Sequence, residues 1–314
     1  MNEALSKLAD DFFKNTLNSS PTSAIMRGYK EYFDQIEELT EARFDQNLKD
    51  LDKFEKRLNE IDFNNLSNKE KVTHGMLEYA FGSNKDSLLD KSWEFGAGVS
   101  GFTGYLIDYN QQMFIPDLES ADLLLKRLEL YNQFFNQVSL VQKKGLDGNR
   151  VATERNILRT IDQIESYLKT SLEEDPLLLV NFSPEVSEED VINWKEKAKL
   201  IIDGYVRPSV NTYLEQLKSE HLPKGRSDMN PGIMWIEGGD DIYLRSLRKF
   251  TGNKDITVQQ VHETGLSEIK RLKKEFLEIG KKVFKDVTTP EEVIYKMQTE
   301  PSMRFESKEQ MLQM

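Results

Sequence analysis

The chain has 314 residues, a formal net charge of −12 and a pI near 5.0, with 31% charged and 38% hydrophobic residues. That length can bury a real core, in one large domain or in two closely packed ones, while the acidic balance argues against nucleic acid and anionic membrane surfaces as partners. Cysteine is absent, which excludes disulfides, thiolate zinc sites and cysteine nucleophiles together.

A mean hydropathy of −0.60 suits long amphipathic helices, where a narrow apolar stripe carries the packing. An aromatic content of 10% is too high for a disordered chain. No stretch approaches the ~20 apolar residues of a membrane span. The segment Met1 to Lys7 has neither the basic nor the apolar run of a signal peptide, so the expected compartment is the cytoplasm.

In chain order, Leu5, Leu8, Phe12 and Phe13 form one apolar face, and Ser20 followed by Pro21 reads as an N-cap with proline in the first turn. Thr40 opens a helix with Phe44, Leu48, Leu51, Leu58 and Ile61 as its apolar positions. Ser67 and Glu70 make a capping box for the next, through about Leu89. Residues 93–115 hold Gly96, Gly98, Gly101 and Gly104 among Trp93, Phe95, Phe102, Tyr105 and Tyr109, with no helical or strand period, and predict a long ordered loop.

Helix resumes at Ser120 and is expected to end near Gly145. A further helix spans roughly Ala152 to Leu172, and another runs from Ser187 until Pro208 kinks or breaks it. The stretch His221 to Pro231 reads as a polar loop. Gly238 and Gly239 precede a short helix closed near Gly252. Thr257 with Gln260, and Thr289 with Glu292, start two more. No stretch alternates strongly enough to predict a sheet. Ser307 with Gln310 begins a helix only about seven residues before the end, too short for independent stability. The expected fold is therefore all-α, a helical array over 1–314 that is the N-terminal region of a larger protein.

Candidate chemistry is sparse. His262-Glu263 begins the zinc-peptidase pattern H-E-x-x-H, but Leu266 occupies the position of the second histidine, so the metal lacks a ligand. His262 is expected instead to flank a buried stripe, one turn from Val258 and Leu266. Glu70, His74 and Glu78 share one helix face, a pattern that fits an ion-paired surface better than a metal site. Gly96 to Gly101 matches G-x-G-x-x-G without the strand and helix that a dinucleotide site requires. Glu237, Asp240 and Asp241 lie at a helix start, where the dipole favours acid. No catalytic or metal residue is assigned.

Several pieces in order resemble a bacterial domain-of-unknown-function family, number 885. They are Pro21-Thr22-Ser23-Ala24 with Gly28 and Asp34; Arg127-Leu128 with Gly145-Leu146-x-Gly148; and Gly239-x-x-x-Tyr243 with His262 to Ile269. The fourth is Pro301 to Glu309. The resemblance implies a gluzincin-like, carboxypeptidase-like zinc metallopeptidase built as two helical lobes, with this chain as one lobe. The family's H-E-x-x-P-G-H motif is not in this sequence, so zinc is expected in a C-terminal half outside 1–314, with no cofactor in this chain. The implied partners are a peptide substrate and that second half, with Tyr243 and His262 as the residues that would meet substrate. The competing expectation is a stand-alone helical binding or scaffold module without catalysis.

Overall fold

The computed structural model describes residues 2–96 and 109–313. Most of the predicted Gly/aromatic loop, including Gly98, Gly101 and Gly104 and hence the G-x-G-x-x-G match, lies outside the described residues. The described chain is all-α apart from one two-residue strand pair, and it divides into two compact units, residues 1–243 and 244–314.

In the first unit, α1 (Glu3–Ser19), α2 (Pro21–Met26), α3 (Glu41–Asn59) and α4 (Asn68–Asp90) follow the start signals read above. The Asn2 side chain accepts from Leu5 N, Thr40 caps α3, and Ser67 with Glu70 forms the capping box of α4. These caps satisfy backbone donors that a helix start leaves orphaned. Leu5, Leu8, Phe54, Leu58 and Phe81 bury one satellite core, in which the Phe12 ring meets Phe81 edge-on at 4.8 Å.

The main core lies under the short α5 (Tyr109–Gln112), α6 (Leu118–Glu129), α7 (Tyr131–Asp147), α8 (Glu154–Lys169), α9 (Glu188–Ile201) and α10 (Arg207–Gln216). Leu124, Leu128, Phe135, Ile157, Ile164, Val210 and Leu214 fill it. Trp194 is buried there with its indole N–H donating to Ala121 O at 2.8 Å. The helix predicted from Ser120 to Gly145 is two helices, α6 and α7, parted at Leu130, with Gly148 as the C-terminal cap. No glycine or proline marks that break, so the sequence carries no signal for it.

Two parallel strands of two residues, β1 (Phe114–Ile115) and β2 (Asn181–Phe182), were not expected. They are too short to show any alternation. Pro208 does not break the rod. A π turn at Ile202–Val206 joins α9 to α10, which then starts at Arg207 with the proline in its first turn. A second π turn, Leu217–His221, closes α10. His221, expected in a polar loop, is therefore helical and 2% exposed.

Gly239–Thr251 forms α11. The second unit contains α12 (Val258–Val283), α13 (Pro290–Thr299) and the five-residue α14 (Lys308–Leu312). Both longer helices carry the capping boxes read from sequence. Phe284, Val287 and Val293 form its small core, with Phe276 and Leu277 against it. At Gly280 a Cβ would fall 2.3 Å from Val293 Cγ2, so the close approach of α12 and α13 requires glycine there. The rest of the α12 stripe is not buried: Leu266, Ile269, Leu272, Ile279 and Val283 are all exposed.

Candidate functional site

The two residues expected to meet substrate fall in different units. Tyr243 is the last residue of the first and is 43% exposed. His262 lies on α12 in the second and is also exposed, so it does not flank a buried stripe as expected. The stripe beside it, Val258 and Leu266, is itself uncovered.

The residues around Tyr243 in the first unit form a strongly constrained corner. Asn149 takes a left-handed conformation (φ 53°) between α7 and α8. This aims the next side chain, Arg150, back across the chain. Its Nε lies 2.7 Å from the Glu94 carboxylate, a close ion pair rather than a well-directed hydrogen bond. Its other nitrogens donate to Asp90 O and, at 2.6 Å, to Glu237 O, and its guanidinium sits 5.1 Å from the Phe95 ring centroid. Gly145 lies beneath: a Cβ there would be 2.1 Å from Glu94 O.

Arg226 makes the second set of ties. Its backbone bridges the 152–154 segment, through Arg226 N to Ala152 O at 3.0 Å and Glu154 N to Arg226 O at 2.8 Å. Its side chain donates to Val151 O, Asn230 O and Gly232 O at 2.7–2.9 Å. The segment 226–238 is thus fixed at both ends by arginines. It directs Met229, Met234 and Trp235 outward and buries Ile236. Gly239 closes it, since a Cβ there would lie 1.9 Å from Ile233 O. Sequence reasoning singled out Tyr243 and the acidic residues beside it but missed Arg150 and Arg226. Neither lies in a recognisable spacing, and their partners are main-chain carbonyls.

The remaining candidates resolve into structure. Glu70 accepts from Ser67 N and from the N–H of Asn2, and these bonds pull its pKa down to about 2. His74 stands edge-on to Phe63 at 5.2 Å. Asp240 and Asp241 occupy the first turn of α11. Among the described residues no group of three or more His, Asp or Glu is arranged to hold a metal ion, so these residues do not fit the zinc site implied by resemblance.

Two of the motif pieces also meet away from this corner. Arg127 is 1% exposed and donates to Thr22 Oγ1 at 2.6 Å and to Gln35 O. Thr22 Oγ1 donates in turn to Glu37 at 2.7 Å, Thr22 N does so at 2.9 Å, and the guanidinium lies 3.9 Å from the same carboxylate. The threonine hydroxyl relays one buried charge to the other. The N-terminal and central motif pieces are therefore two ends of one network that fastens α2 to α6.

A profile of the family described as bacterial protein of unknown function (DUF885) matches residues 21–314. The chain belongs to the DUF885 family. The DUF885 chain also superposes on a crystal structure described as the "putative lipoprotein" from Colwellia psychrerythraea, with a TM-score of 0.79 at 15% identity. The match covers 99% of this chain and 57% of that one, so this chain spans little more than half the length of its structural relative. At that identity the likeness concerns the fold. No curated protein matches the sequence.

Proposed function

We propose that this chain forms one peptide-facing wall of a zinc-dependent peptidase whose metal ligands are supplied from outside residues 1–314. The observation that carries the reading is α12. It is a capped helix of 26 residues whose Leu266, Ile269, Leu272, Ile279 and Val283 are left exposed, a stripe of the kind that packs against another element. A solved relative of the same fold with nearly half its own chain beyond the match supports a further lobe as that element. The described helices include none long and apolar enough to cross a membrane. The proposed compartment is the cytoplasm, and the lipoprotein name of the relative supplies the competing outcome in a fractionation experiment.

The test is to read the coding frame past codon 314 and to assay both forms. A frame continuing into H-E-x-x-x-x-H, with zinc and peptide hydrolysis in the longer protein and neither in residues 1–314, supports the reading. Stoichiometric zinc held tightly by residues 1–314 overturns it. A stop codon at that place, with a monodisperse chain that melts cooperatively, favours the helical binding module instead.

A further inference from the structure

We propose that the turn 227–238 and the first turn of α11 form a docking ledge for an extended peptide segment that carries a large apolar side chain beside a cationic one. This rests on the peptide-facing part of the reading above and requires no metal.

The apolar half of the ledge is unusual in its rigidity. Met229, Met234, Trp235 and Tyr243 are 86, 65, 49 and 43% exposed, yet they project from a backbone tied down by Arg226 at three carbonyls and by Arg150 at a fourth. Loops that only connect helices rarely hold so many large apolar groups in water. Two thioethers adapt to varied side chains, and an indole and a phenol offer broad contact area. Because the backbone is already fixed, little further ordering is required on contact.

The polar half defines the occupant. Glu237, Asp240 and Asp241 are exposed. The near contact of Gly239 with Ile233 O presses the start of α11 onto the Ile233–Trp235 turn, so these carboxylates edge the apolar patch. The helix dipole accounts for acid at 240 and 241 but not for Glu237, which precedes the helix, nor for the outward methionines. A carboxylate edge beside an apolar surface attracts a lysine or arginine flanked by a large apolar residue and repels an acidic segment. A second copy of the chain, at net charge −12, an anionic bilayer and a nucleic acid are all disfavoured by the same sign.

Residues 1–314 would be titrated with three synthetic octapeptides of one length: lysine with leucine and phenylalanine, the same with glutamate for lysine, and lysine with alanine. Fluorescence anisotropy of a dye on each peptide gives the affinity. The lysine/leucine/phenylalanine peptide should bind, more weakly as salt rises, and at least about tenfold more tightly than either control. Trp235→Ala should weaken it about tenfold. Met234→Gln, at a more exposed site, and the combined Glu237→Gln, Asp240→Asn and Asp241→Asn variant should each weaken it several-fold while circular dichroism stays unchanged. Binding that ignores all of these substitutions places peptides elsewhere and overturns the ledge, leaving the peptide-wall reading standing. Equal binding of the acidic peptide, or no binding of the basic one, also overturns the ledge. Hydrolysis by the longer protein tests the other reading separately.

Discussion

Replacing Arg127 by methionine tests whether the α2–α6 network is a buried ion pair or a hydrogen-bonded filler. The substitution keeps most of the volume but removes the cation that lies 3.9 Å from Glu37 and donates to Thr22 Oγ1. Breaking a buried pair by deleting one partner costs about 3–5 kcal/mol. The two Thr22 bonds that remain on Glu37 place the expected loss near the lower end, about 3 kcal/mol. Adding Glu37→Gln removes the stranded charge and should recover more than about 1 kcal/mol of that loss, giving a coupling of the same size in a double-mutant cycle. Urea unfolding followed by tryptophan emission, to which the buried Trp194 contributes, reads the first unit. For a slope of ~3 kcal/mol/M the midpoint falls by about 1 M. A loss below about 0.5 kcal/mol, or two strictly additive substitutions, would refute the pair.

Two further outcomes follow from the same geometry. Gly145→Ala forces a Cβ against Glu94 O at 2.1 Å and should lower stability by about 2 kcal/mol as an overpacked site, whereas Gly82→Ala, which meets nothing within 4 Å, should be neutral or slightly stabilising by thermal melting. Burial holds the His221 pKa below its ordinary 6.5, so the unfolded chain takes up its proton first. The contribution of His221 is therefore complete above pH 6.5 and is lost as pH falls through 6.5 toward the lower folded value. Melting temperature from pH 7.5 to 5 should drop more steeply in the parent than in His221→Gln, and parallel curves would show that the residue does not titrate with unfolding.

Much of the helical frame was legible because helix starts are written locally. Ser67 with Glu70, Thr257 with Gln260 and Thr289 with Glu292 each form the capping box their spacing implies, since that chemistry needs only residues within one turn. What depended on distant parts of the chain was not legible. The break at Leu130 and the β1–β2 pair have no local mark. The family pieces were recognisable as patterns, but the pattern does not say what they are for. Arg127 and Thr22 make a buried fastening, and Gly145 and Gly239 allow backbones to touch. Tyr243 alone among the singled-out residues stands at a surface prepared by its neighbours. His262 was misjudged because periodicity tells which residues share a face, not whether anything covers it.

The two π turns have a consequence for how this protein can change. Each adds a residue to a rod that otherwise advances about 100° per residue, so each acts as a phase shift: whatever follows is rotated relative to what precedes it. The side chains of α9, those of α10 and the segment leading to Arg226 keep their aims only while both offsets are present. Deleting a single residue between 202 and 206 would restore a smooth helix yet turn Val210, Tyr213 and Leu214 away from the core they now fill. The rod should therefore tolerate substitution at its exposed positions far better than any change in its length.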